Sequence, residues 1–173
     1  MTTFKHIIKT FDYEIVFANE TWLKDTTTDN MILTTHIIHR KDRLDSRGGG
    51  VLIAVKNTIK SIRQEKLESN FIEMICVELK LSNKRYLLVS VYIPPPKVTM
   101  SFNDCLSSLD SFLIQDSLNV YDNIIIQGDF NINCHQPISS QNATDLLSLF
   151  ATNGFSQLID KSTYRLSNSI IDL

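Results

Sequence analysis

The sequence predicts an α/β fold, because short apolar segments of extended character are followed by two stretches of helical periodicity. The extended segments are concentrated between residues 14 and 93, and the clearest helical patterns lie at 103–118 and after Asn142. The first of these helices precedes the apolar run 124–126, so we interpret it as a crossover between strands. A chain of 173 residues, 43% of them hydrophobic, is long enough for one substantial core. We therefore expect a single domain over residues 1–173.

The first predicted elements are a helix and two strands. Thr3 is a candidate cap for a short helix whose apolar stripe recurs at helical spacing, at positions 4, 7, 8 and 11. The segment 14–18 is predicted to be a strand that ends shortly before Glu20, and 31–38 is predicted to be a second strand. A glutamate after a strand is usually just solvated, although strand ends are also where sheet proteins place ligands. Trp22 is more often a packing residue than a stacking platform.

A basic segment and three glycines precede the next strand. Residues 39–47 contain four lysine or arginine side chains, and the glycines 48–50 lead into an apolar strand at 51–56. The glycines lack the Lys-Ser/Thr of a phosphate-binding P-loop, so a tight entry into a buried strand is their simpler role. Each cation is either a solvated loop residue or a contact to a polyanion. The solvated interpretation is favoured except at Arg47, which the adjacent glycines hold near the end of the sheet.

Three extended segments follow at 59–66, 71–81 and 85–93, with a turn at Asn83 and Lys84 between the last two. The prolines at 94–96 must end the third segment, because proline has no backbone N–H for the ladder. Tyr92 therefore lies at a strand end. The commoner role of a strand tyrosine is half-buried packing with the hydroxyl in water, and that alternative stays open.

The segment 124–131 organises the rest of the chain. It is predicted to be a buried strand that stops at Gly128 and then presents Asp129, Phe130 and Asn131. Side chains alternate along an extended backbone, so Asp129 and Asn131 should face one spot while Phe130 returns to the core. A polar turn after a strand is the alternative. A helix capped by Asn142 and a short strand at 155–159 follow.

Charge, cysteine usage and hydropathy exclude several classes of protein. The net charge of −2 provides no global basic field, so nucleic-acid binding would depend on local patches or a metal ion. The three cysteines, at 76, 105 and 134, are odd in number and lack CxxC spacing, which favours reduced thiols over disulfides or zinc. No apolar run approaches membrane length and no targeting signal is evident, so we expect a soluble, intracellular protein.

Five motifs together resemble those of a known family. In order they are Glu20-Thr21-Trp22-Leu23, Arg47-Gly48-Gly49-Gly50-Val51, Val91-Tyr92-Ile93-Pro94-Pro95, Gly128-Asp129-Phe130-Asn131 and Ser169-Ile170-Ile171-Asp172-Leu173. The order and spacing of these motifs are similar to those of the endonuclease/exonuclease/phosphatase family. Their residues most resemble the endonuclease domain of non-LTR (LINE-type) retrotransposon reverse-transcriptase polyproteins.

The resemblance implies a four-layer α/β sandwich, with two mixed β-sheets packed face to face and helices outside. It also implies hydrolysis of DNA phosphodiesters with Mg²⁺, or Mn²⁺ as an alternative, in a nick that primes reverse transcription. The implied partners are DNA and the rest of a reverse-transcriptase polyprotein, and a nuclear location would follow from the family alone.

The resemblance also implies roles for individual residues. Glu20 matches the metal-binding glutamate, and Tyr92 a tyrosine that contacts the scissile phosphate. Asp129 matches the aspartate that orients or deprotonates the attacking water, and Asn131 an asparagine that supports the phosphate and the water. Thr163 and Asp172 match the threonine and the aspartate of the family's penultimate motif, and that catalytic aspartate would hold either the catalytic histidine or the hydrogen bonds of the site. Arg47 and Thr163 are the candidate substrate-binding residues.

Two family motifs have no counterpart in this sequence, namely a first strand carrying an asparagine and a final Ser-Asp-His. We therefore expect a sandwich incomplete at both termini, with unpaired strand edges and impaired or absent activity, since one lost transition-state donor typically costs about 100- to 1000-fold in rate. The alternatives to a DNA endonuclease are a non-catalytic retrotransposon remnant, a DNA-binding module, or another phosphatase or phosphodiesterase of the same family.

Overall fold

The computed structural model describes residues 2–43, 47–95, 101–134, 140–163 and 169–170. Seven strands form two sheets in the described part of the chain. The first sheet holds β1 (Ile15–Asn19), β2 (His36–Lys41) and β3 (Val51–Lys56), in the order β1-β3-β2. The second holds β4 (Ser61–Arg63), β5 (Glu73–Leu81), β6 (Lys84–Tyr92) and β7 (Asn123–Asp129), in that order.

The described helices are α1 (Thr2–Phe11), α2 (Asp29–Ile32), α3 (Phe102–Leu113) and α4 (Gln141–Thr152), with 3-10 turns at Glu65–Leu67 and Asp116–Val120. A capping box begins α3, in which Ser101 and Asp104 satisfy each other's backbone N–H groups. The side chain of Ser140 caps α4, two residues earlier than the predicted cap Asn142. The predicted cap Thr3 lies inside α1, which begins one residue before it. None of the described helices has the length and apolar character needed to cross a lipid bilayer.

The two sheets pack face to face, and helices cover their outer faces, so the predicted four-layer α/β sandwich is confirmed. Alternate residues of β3, such as Val51 and Ile53, pack between the sheets against β5 and β6. The other β3 residues, Leu52 and Ala54, pack against Ile8 of α1 on the outer face. Because both faces of β3 are covered, Val51–Val55 are at most 1% exposed. Each valine, leucine or isoleucine among them contributes about 1.5–3 kcal/mol through burial.

The second sheet is antiparallel except at its last pair. Helix α3 carries the chain from β6 to β7, which pair in parallel from Tyr86↔Asn123 to Tyr92↔Asp129. The predicted crossover is therefore confirmed, and its reason is geometric, since parallel strands cannot be joined by a tight turn. Leu109 and Phe112 of α3 pack on the outer face of this sheet, together with Leu146 of α4. All three cysteines are free and buried, in line with the predicted reduced thiols.

Three predicted boundaries differ from the observed ones. The strand predicted at 31–38 is a helical turn, α2, followed by β2 from His36 to Lys41, because Ile32 and Leu33 pack under α1 instead of in the sheet. The turn before β6 falls at Ser82 and Asn83, whose φ angles of 49° and 66° match a two-residue hairpin. Residues 155–159, predicted to be a strand, form no regular structure.

The strand predicted to be buried and central, β7, is the outermost described strand of its sheet. It does not stop at Gly128 but continues to Asp129. Its burial alternates, and Ile125 is 45% exposed, because Ile124 and Ile126 face the helices while Ile125 points to the other side. A run of three isoleucines therefore did not indicate burial on both faces.

Candidate active site

The candidate site lies where three strands end together. The strands β1, β6 and β7 end at Asn19, Tyr92 and Asp129, and Tyr92 and Asp129 are register partners in the parallel pair. The Tyr92 hydroxyl donates a hydrogen bond to Oε1 of Glu20, which directly follows β1. A second contact between the sheets runs from Ser90 Oγ to Asn19 Oδ1, at 2.9 Å. The structure thus brings the predicted residues Glu20, Tyr92 and Asp129 to one end of the sandwich.

The carboxylate of Glu20 accepts three hydrogen bonds. Besides the bond from Tyr92 to Oε1, Oε2 accepts from the backbone N–H of Gly49 at 3.1 Å and from Nε1 of Trp22 at 2.5 Å. Burial raises the pKa of Glu20, whereas the hydrogen bonds from Tyr92, Gly49 and Trp22, in decreasing order of effect, lower it. The three bonds together outweigh burial, so the net pKa lies below its ordinary value. Glu20 is therefore ionised at neutral pH.

The glycine segment forms the wall beside Glu20. The backbone N–H groups of Thr21 and Trp22 donate to the carbonyls of Gly50 and Gly49, at 3.3 and 3.0 Å, which extends the β1–β3 pairing past the end of both strands. The φ of Gly50 is +89°, and a Cβ there would lie 2.5 Å from Thr21 Oγ1. Only glycine combines this conformation with this close approach. The predicted tight entry to β3 is therefore confirmed, and it also delivers a backbone donor to Glu20.

An ion pair that the sequence analysis missed supports the glycine segment. Arg43 and Glu73 form a charge-assisted pair, and their side chains are 15% and 18% exposed. The other oxygen of Glu73 accepts from the backbone N–H of Gly50 at 2.5 Å. Glu73 is the register partner of Tyr92, so this pair stands next to the tyrosine on the opposite side from Asp129. Its signal in the sequence was a charged residue at the start of an otherwise buried strand.

Tyr92 is held as a neutral hydroxyl. Its ring is 2% exposed and lies 5.5 Å from the Arg43 guanidinium carbon. Burial raises the pKa of Tyr92, and the hydrogen bond to the Glu20 carboxylate raises it further. The hydroxyl therefore remains a donor throughout the physiological pH range, which rules out the alternative of a packing tyrosine with its hydroxyl in bulk water.

Asp129 and Asn131 form a compact turn. The Asp129 carboxylate accepts from the backbone N–H of Asn131 at 2.9 Å, and Nδ2 of Asn131 donates to the carbonyl of Ile93 at 2.9 Å. Phe130 is 1% exposed, so the predicted return of this ring to the core is confirmed. Asn131 has a φ of +51°, so the chain turns here and is not extended as predicted. Asp129 and Asn131 are therefore close because the Asp129 side chain bonds to the backbone of a turn, and not because they alternate along an extended strand.

The basic segment is largely neutralised within the protein. Arg40 contacts Asp29 and Asp42, and Lys41 donates to the carbonyl of Ser69 at 2.7 Å. Arg47, by contrast, is exposed, and its guanidinium carbon lies 5.1 Å from the centre of the Trp22 ring. The favoured interpretation of the other cations as solvated loop residues is therefore wrong, because Arg40 and Lys41 lie in β2 and Arg43 is 15% exposed in its pair with Glu73. The substrate-binding role of Arg47 stays a prediction.

The last two predicted residues lie late in the chain. The backbone N–H of Thr163 donates to the carbonyl of Ser169 at 2.9 Å. Residue Ile170 then bonds to the loop that continues from Asn131, through the Cys134 N–H and the Asn133 side chain. Thr163 is therefore linked to that loop through two residues. Asp172 lies outside the described residues.

The residues present fit a Mg²⁺ ion held by one protein carboxylate. Among the described residues, no group of three or more His, Cys, Asp or Glu side chains could hold a metal ion. Mg²⁺ does not require such a cage, because it retains several waters and binds one or two carboxylates together with substrate phosphate oxygens. The Glu20 carboxylate has about four acceptor positions, and the three bonds described above leave room for one further ligand.

Comparisons with known proteins agree with this geometry. A sequence model of the Endonuclease/Exonuclease/phosphatase family matches residues 1–167. No curated protein sequence matches the chain. The fold is similar to that of the endonuclease domain of TRAS1, a telomere-specific non-LTR retrotransposon, with a TM-score of 0.69 and 16% identity over 96% of this chain and 74% of that chain.

Two further solved structures share the fold at lower similarity. The human Nocturnin catalytic domain has a TM-score of 0.57 and 12% identity, over 96% of this chain and 70% of that chain. Humanized D. rerio TDP2 has a TM-score of 0.52 and 11% identity, over 82% of this chain and 59% of that chain. Identities this low show a common fold, whereas the sequence model spans nearly the whole chain. The chain therefore belongs to the endonuclease/exonuclease/phosphatase family.

Proposed function

We propose that this domain hydrolyses phosphodiester bonds of DNA in the presence of Mg²⁺, as the endonuclease part of a retrotransposon-derived protein. The observation that carries the proposal is the contact of the ionised Glu20 carboxylate with the neutral Tyr92 hydroxyl, beside Asp129, at one end of the sandwich. A carboxylate suited to a hard cation, a fixed hydroxyl donor and a second carboxylate are the groups that phosphodiester hydrolysis needs.

Each residue has a distinct task in this proposal. Tyr92 is neutral and has one O–H proton, which it donates to Glu20 in the free site. With Glu20 holding a metal ion, that proton would instead be donated to a phosphate oxygen, where negative charge grows in the transition state. Asp129 accepts the proton of the attacking water, as a general base. Asn131, whose backbone N–H donates to the Asp129 carboxylate, supports the phosphate and that water with its side-chain amide.

The metal ion would be held by Glu20. When bound, Mg²⁺ would polarise the phosphoryl group and offset its negative charge. The hydrogen bonds from Gly49 and Trp22 fix the orientation of the carboxylate before any ion arrives, so little reorganisation is required on binding. Mn²⁺ also accepts carboxylate and water ligands and is the expected substitute.

DNA is the substrate that the comparisons and the surface favour together. The TRAS1 domain is described as an endonuclease of a non-LTR retrotransposon. In this chain an exposed arginine, Arg47, stands beside the candidate site, and phosphate contacts come chiefly from arginine and lysine. The rest of a reverse-transcriptase polyprotein is the partner that this origin implies, and action on chromosomal DNA would require entry into the nucleus. A phosphatase or another phosphodiesterase of the family is the alternative within the enzyme class.

Nicking of supercoiled plasmid tests the proposal. The purified chain is incubated with Mg²⁺, with Mn²⁺ or with EDTA, beside Glu20→Ala and Asp129→Ala. Asp12→Ala is the matched control, because Asp12 is an exposed carboxylate paired only with Lys56 among its described contacts. The expected result is metal-dependent nicking that both site variants lose and Asp12→Ala retains.

Three other outcomes would overturn the proposal. A folded protein that binds DNA without nicking it would be a DNA-binding module or a non-catalytic remnant. Nicking that survives in both Glu20→Ala and Asp129→Ala would mean that a contaminating nuclease or another site is responsible. Release of phosphate from monoesters, without nicking, would point to the phosphatase alternative.

A further inference from the structure

The single tryptophan of the chain stands out of the core. Trp22 is 53% exposed, and it belongs to none of the three hydrophobic clusters of the described residues. A large aromatic side chain normally contributes most of its area to a core or an interface. Trp22 contributes little to either, so packing, the role favoured from the sequence, does not account for it.

The position of this exposed ring is nevertheless fixed. The backbone N–H of Trp22 donates to the carbonyl of Gly49 at 3.0 Å, and Nε1 donates to Oε2 of Glu20 at 2.5 Å. The φ of Trp22 is +52°, in the left-handed region that residues with side chains rarely adopt. Such a conformation costs of order 1–3 kcal/mol in ordinary cases and persists only where its surroundings enforce it. The ring is therefore held in place beside the carboxylate without being buried.

Arg47 and Gly48 lie next to the Trp22 ring. The guanidinium carbon of Arg47 lies 5.1 Å from the centre of the indole, within cation–π range. Gly48 lies along the ring edge, where an added Cβ would come within 3.6 Å of Cε2 and Cζ2. This distance is an ordinary van der Waals contact, so glycine is favoured here by its φ of +89° and not by a lack of space. The result is an aromatic surface with a positive charge, next to the residue assigned to the metal.

We propose that Trp22 and Arg47 form a binding site for one unpaired nucleobase and its phosphate, next to the phosphodiester that is cleaved. The inference rests on the proposed function, because it takes Glu20 to mark the position of that phosphodiester. The indole stacks on the base and Arg47 contacts the phosphate. Stacking of this kind tolerates any base, because every base has a π-face.

The shared hydrogen bond explains why the base site and the metal site would act together. Oε2 of Glu20 accepts from Nε1 of Trp22, so displacement of the indole would also disturb the carboxylate. A base stacked on a ring held in this way is placed at a fixed distance from the phosphate at Glu20. The site would therefore select nucleic acid in which the nucleotide beside the cleaved bond is unstacked.

The fluorescence of Trp22 provides a direct test, because the chain has one tryptophan. The wild-type protein is titrated, in EDTA so that no hydrolysis occurs, with a single-stranded oligonucleotide of normal bases. The control ligand is an oligonucleotide of the same length made only of abasic sugar-phosphates. The expected result is saturable quenching by the first ligand and little quenching by the second. Equal quenching by both ligands, or none by either, would overturn the proposal.

Variants separate the base from the phosphate. Binding of a labelled oligonucleotide is followed by anisotropy, after circular dichroism has shown that each variant is folded. Trp22→Leu should weaken binding of the base-containing strand about 5- to 100-fold, the affinity equivalent of one stacked base, and leave abasic binding unchanged. Trp22→Phe should keep most of the affinity. Arg47→Ala should weaken both ligands by the same factor, since it removes a phosphate contact.

The outcomes distinguish this inference from the proposed function. Quenching that depends on the bases, in a protein that does not nick plasmid, would support the base site and reject the endonuclease. Nicking by a protein whose Trp22→Leu variant binds both ligands as the wild type does would support the endonuclease and reject the base site. If Trp22→Leu fails to fold, the comparison of the two ligands on the wild-type protein still decides.

Discussion

The hydroxyl of Tyr92 donates a hydrogen bond to Oε1 of Glu20, and these two residues belong to different sheets. Tyr92 ends β6 of the second sheet, and Glu20 follows β1 of the first. The contact therefore closes one end of the sandwich and at the same time joins the proposed phosphate donor to the proposed metal ligand. Loss of this hydrogen bond should therefore change the electrostatics of the site.

Removal of this hydroxyl should impair hydrolysis far more than folding. In Tyr92→Phe the buried ring is retained, so packing is preserved, but the donor is lost. We expect the rate to fall about 100- to 1000-fold, the usual effect of one lost transition-state donor. The pKa of Glu20 should rise, because the Tyr92 bond is the foremost of those that lower it. The acid limb of the pH–rate profile should then move to higher pH, as measured by plasmid nicking.

The matched control is Tyr121→Phe. Tyr121 also donates to a glutamate, Glu78, at 3.3 Å, but on the opposite side of the second sheet from the inter-sheet face. This variant should nick plasmid at the wild-type rate. Equal rates for Tyr92→Phe and the wild type would remove Tyr92 from the catalytic machinery.

The Glu20–Tyr92 pair should make the folded protein less stable at both low and high pH. The pKa of Glu20 is lowered, so its contribution to the free energy of unfolding is complete above its unfolded value near 4.5 and is lost as pH falls through the folded value. The pKa of Tyr92 is raised, so its contribution is present below its unfolded value near 10 and is lost as pH rises through the folded value.

Urea unfolding of the wild type and of Glu20→Gln, between pH 3 and 12, measures both effects. The variant should show a weaker dependence on pH below 5 and above 10, because the carboxylate no longer titrates and no longer opposes ionisation of Tyr92. Glu65→Gln, which alters a side chain that is 76% exposed, is the control and should follow the wild type. Parallel curves for all three proteins would contradict the assignment.

Local patterns in the sequence were sufficient to place Glu20, Tyr92 and Asp129 at strand ends, and the resemblance to the family selected them as candidate site residues. Each ends or follows a short apolar strand, and that boundary can be read from hydrophobic periodicity, glycine and proline. The exposure of Ile125 could not be read in this way, because it depends on what packs on each face of the strand. The turn at Asn131 was missed for a similar reason, since a side-chain hydrogen bond from Asp129 overrode the extended backbone.

Local sequence patterns could not predict the contacts that hold the site in place. Arg43 and Glu73 are thirty residues apart, and nothing near either of them indicates a partner. Their pairing follows from the register of two sheets, which sequence patterns do not specify. The fixed but exposed state of Trp22 likewise follows from a contact with Glu20 and from the path of the glycine segment.

The Arg43–Glu73 pair should be worth more than an ordinary surface ion pair. In Glu73→Ala the guanidinium of Arg43 and the N–H of Gly50 both lose their acceptor in a poorly exposed place. We expect a loss of about 2–3 kcal/mol, somewhat below the effect of breaking a fully buried pair. Asp12→Asn, which breaks the exposed pair with Lys56 and keeps a residue type that tolerates the φ of +49° there, should cost less than about 1 kcal/mol.

Urea unfolding gives both free energies, and a double-mutant cycle with Arg43→Ala isolates the coupling. A coupling energy near zero would show that the pair does not act as a unit. Nicking should also slow in Glu73→Ala, because Gly50 is adjacent to the residue whose N–H binds Glu20. Asp12→Asn should leave nicking unchanged.

The close approach of β7 to β6 at Gly128 should be essential to the position of Asp129. A Cβ on Gly128 would lie 1.9 Å from the carbonyl oxygen of Val91, so Gly128→Ala must push the two strands apart. Asp129 is the next residue and the last of its strand, so it should move with them. We expect a loss of about 1–3 kcal/mol in the free energy of unfolding, as for other overpacked sites, and at least about a tenfold loss of nicking.

Gly154→Ala is the control that separates displacement of Asp129 from a general loss of stability. Gly154 has a φ of +80° and no atom within 4 Å of an added Cβ, so alanine there strains the backbone without displacing a neighbour. It should cost about 1–2 kcal/mol and leave nicking at the wild-type rate once the protein is folded. If the two variants lost the same stability and nicked equally well, the contact between Gly128 and Val91 would not position Asp129, and the aspartate would have to be placed by its bond to Asn131 instead.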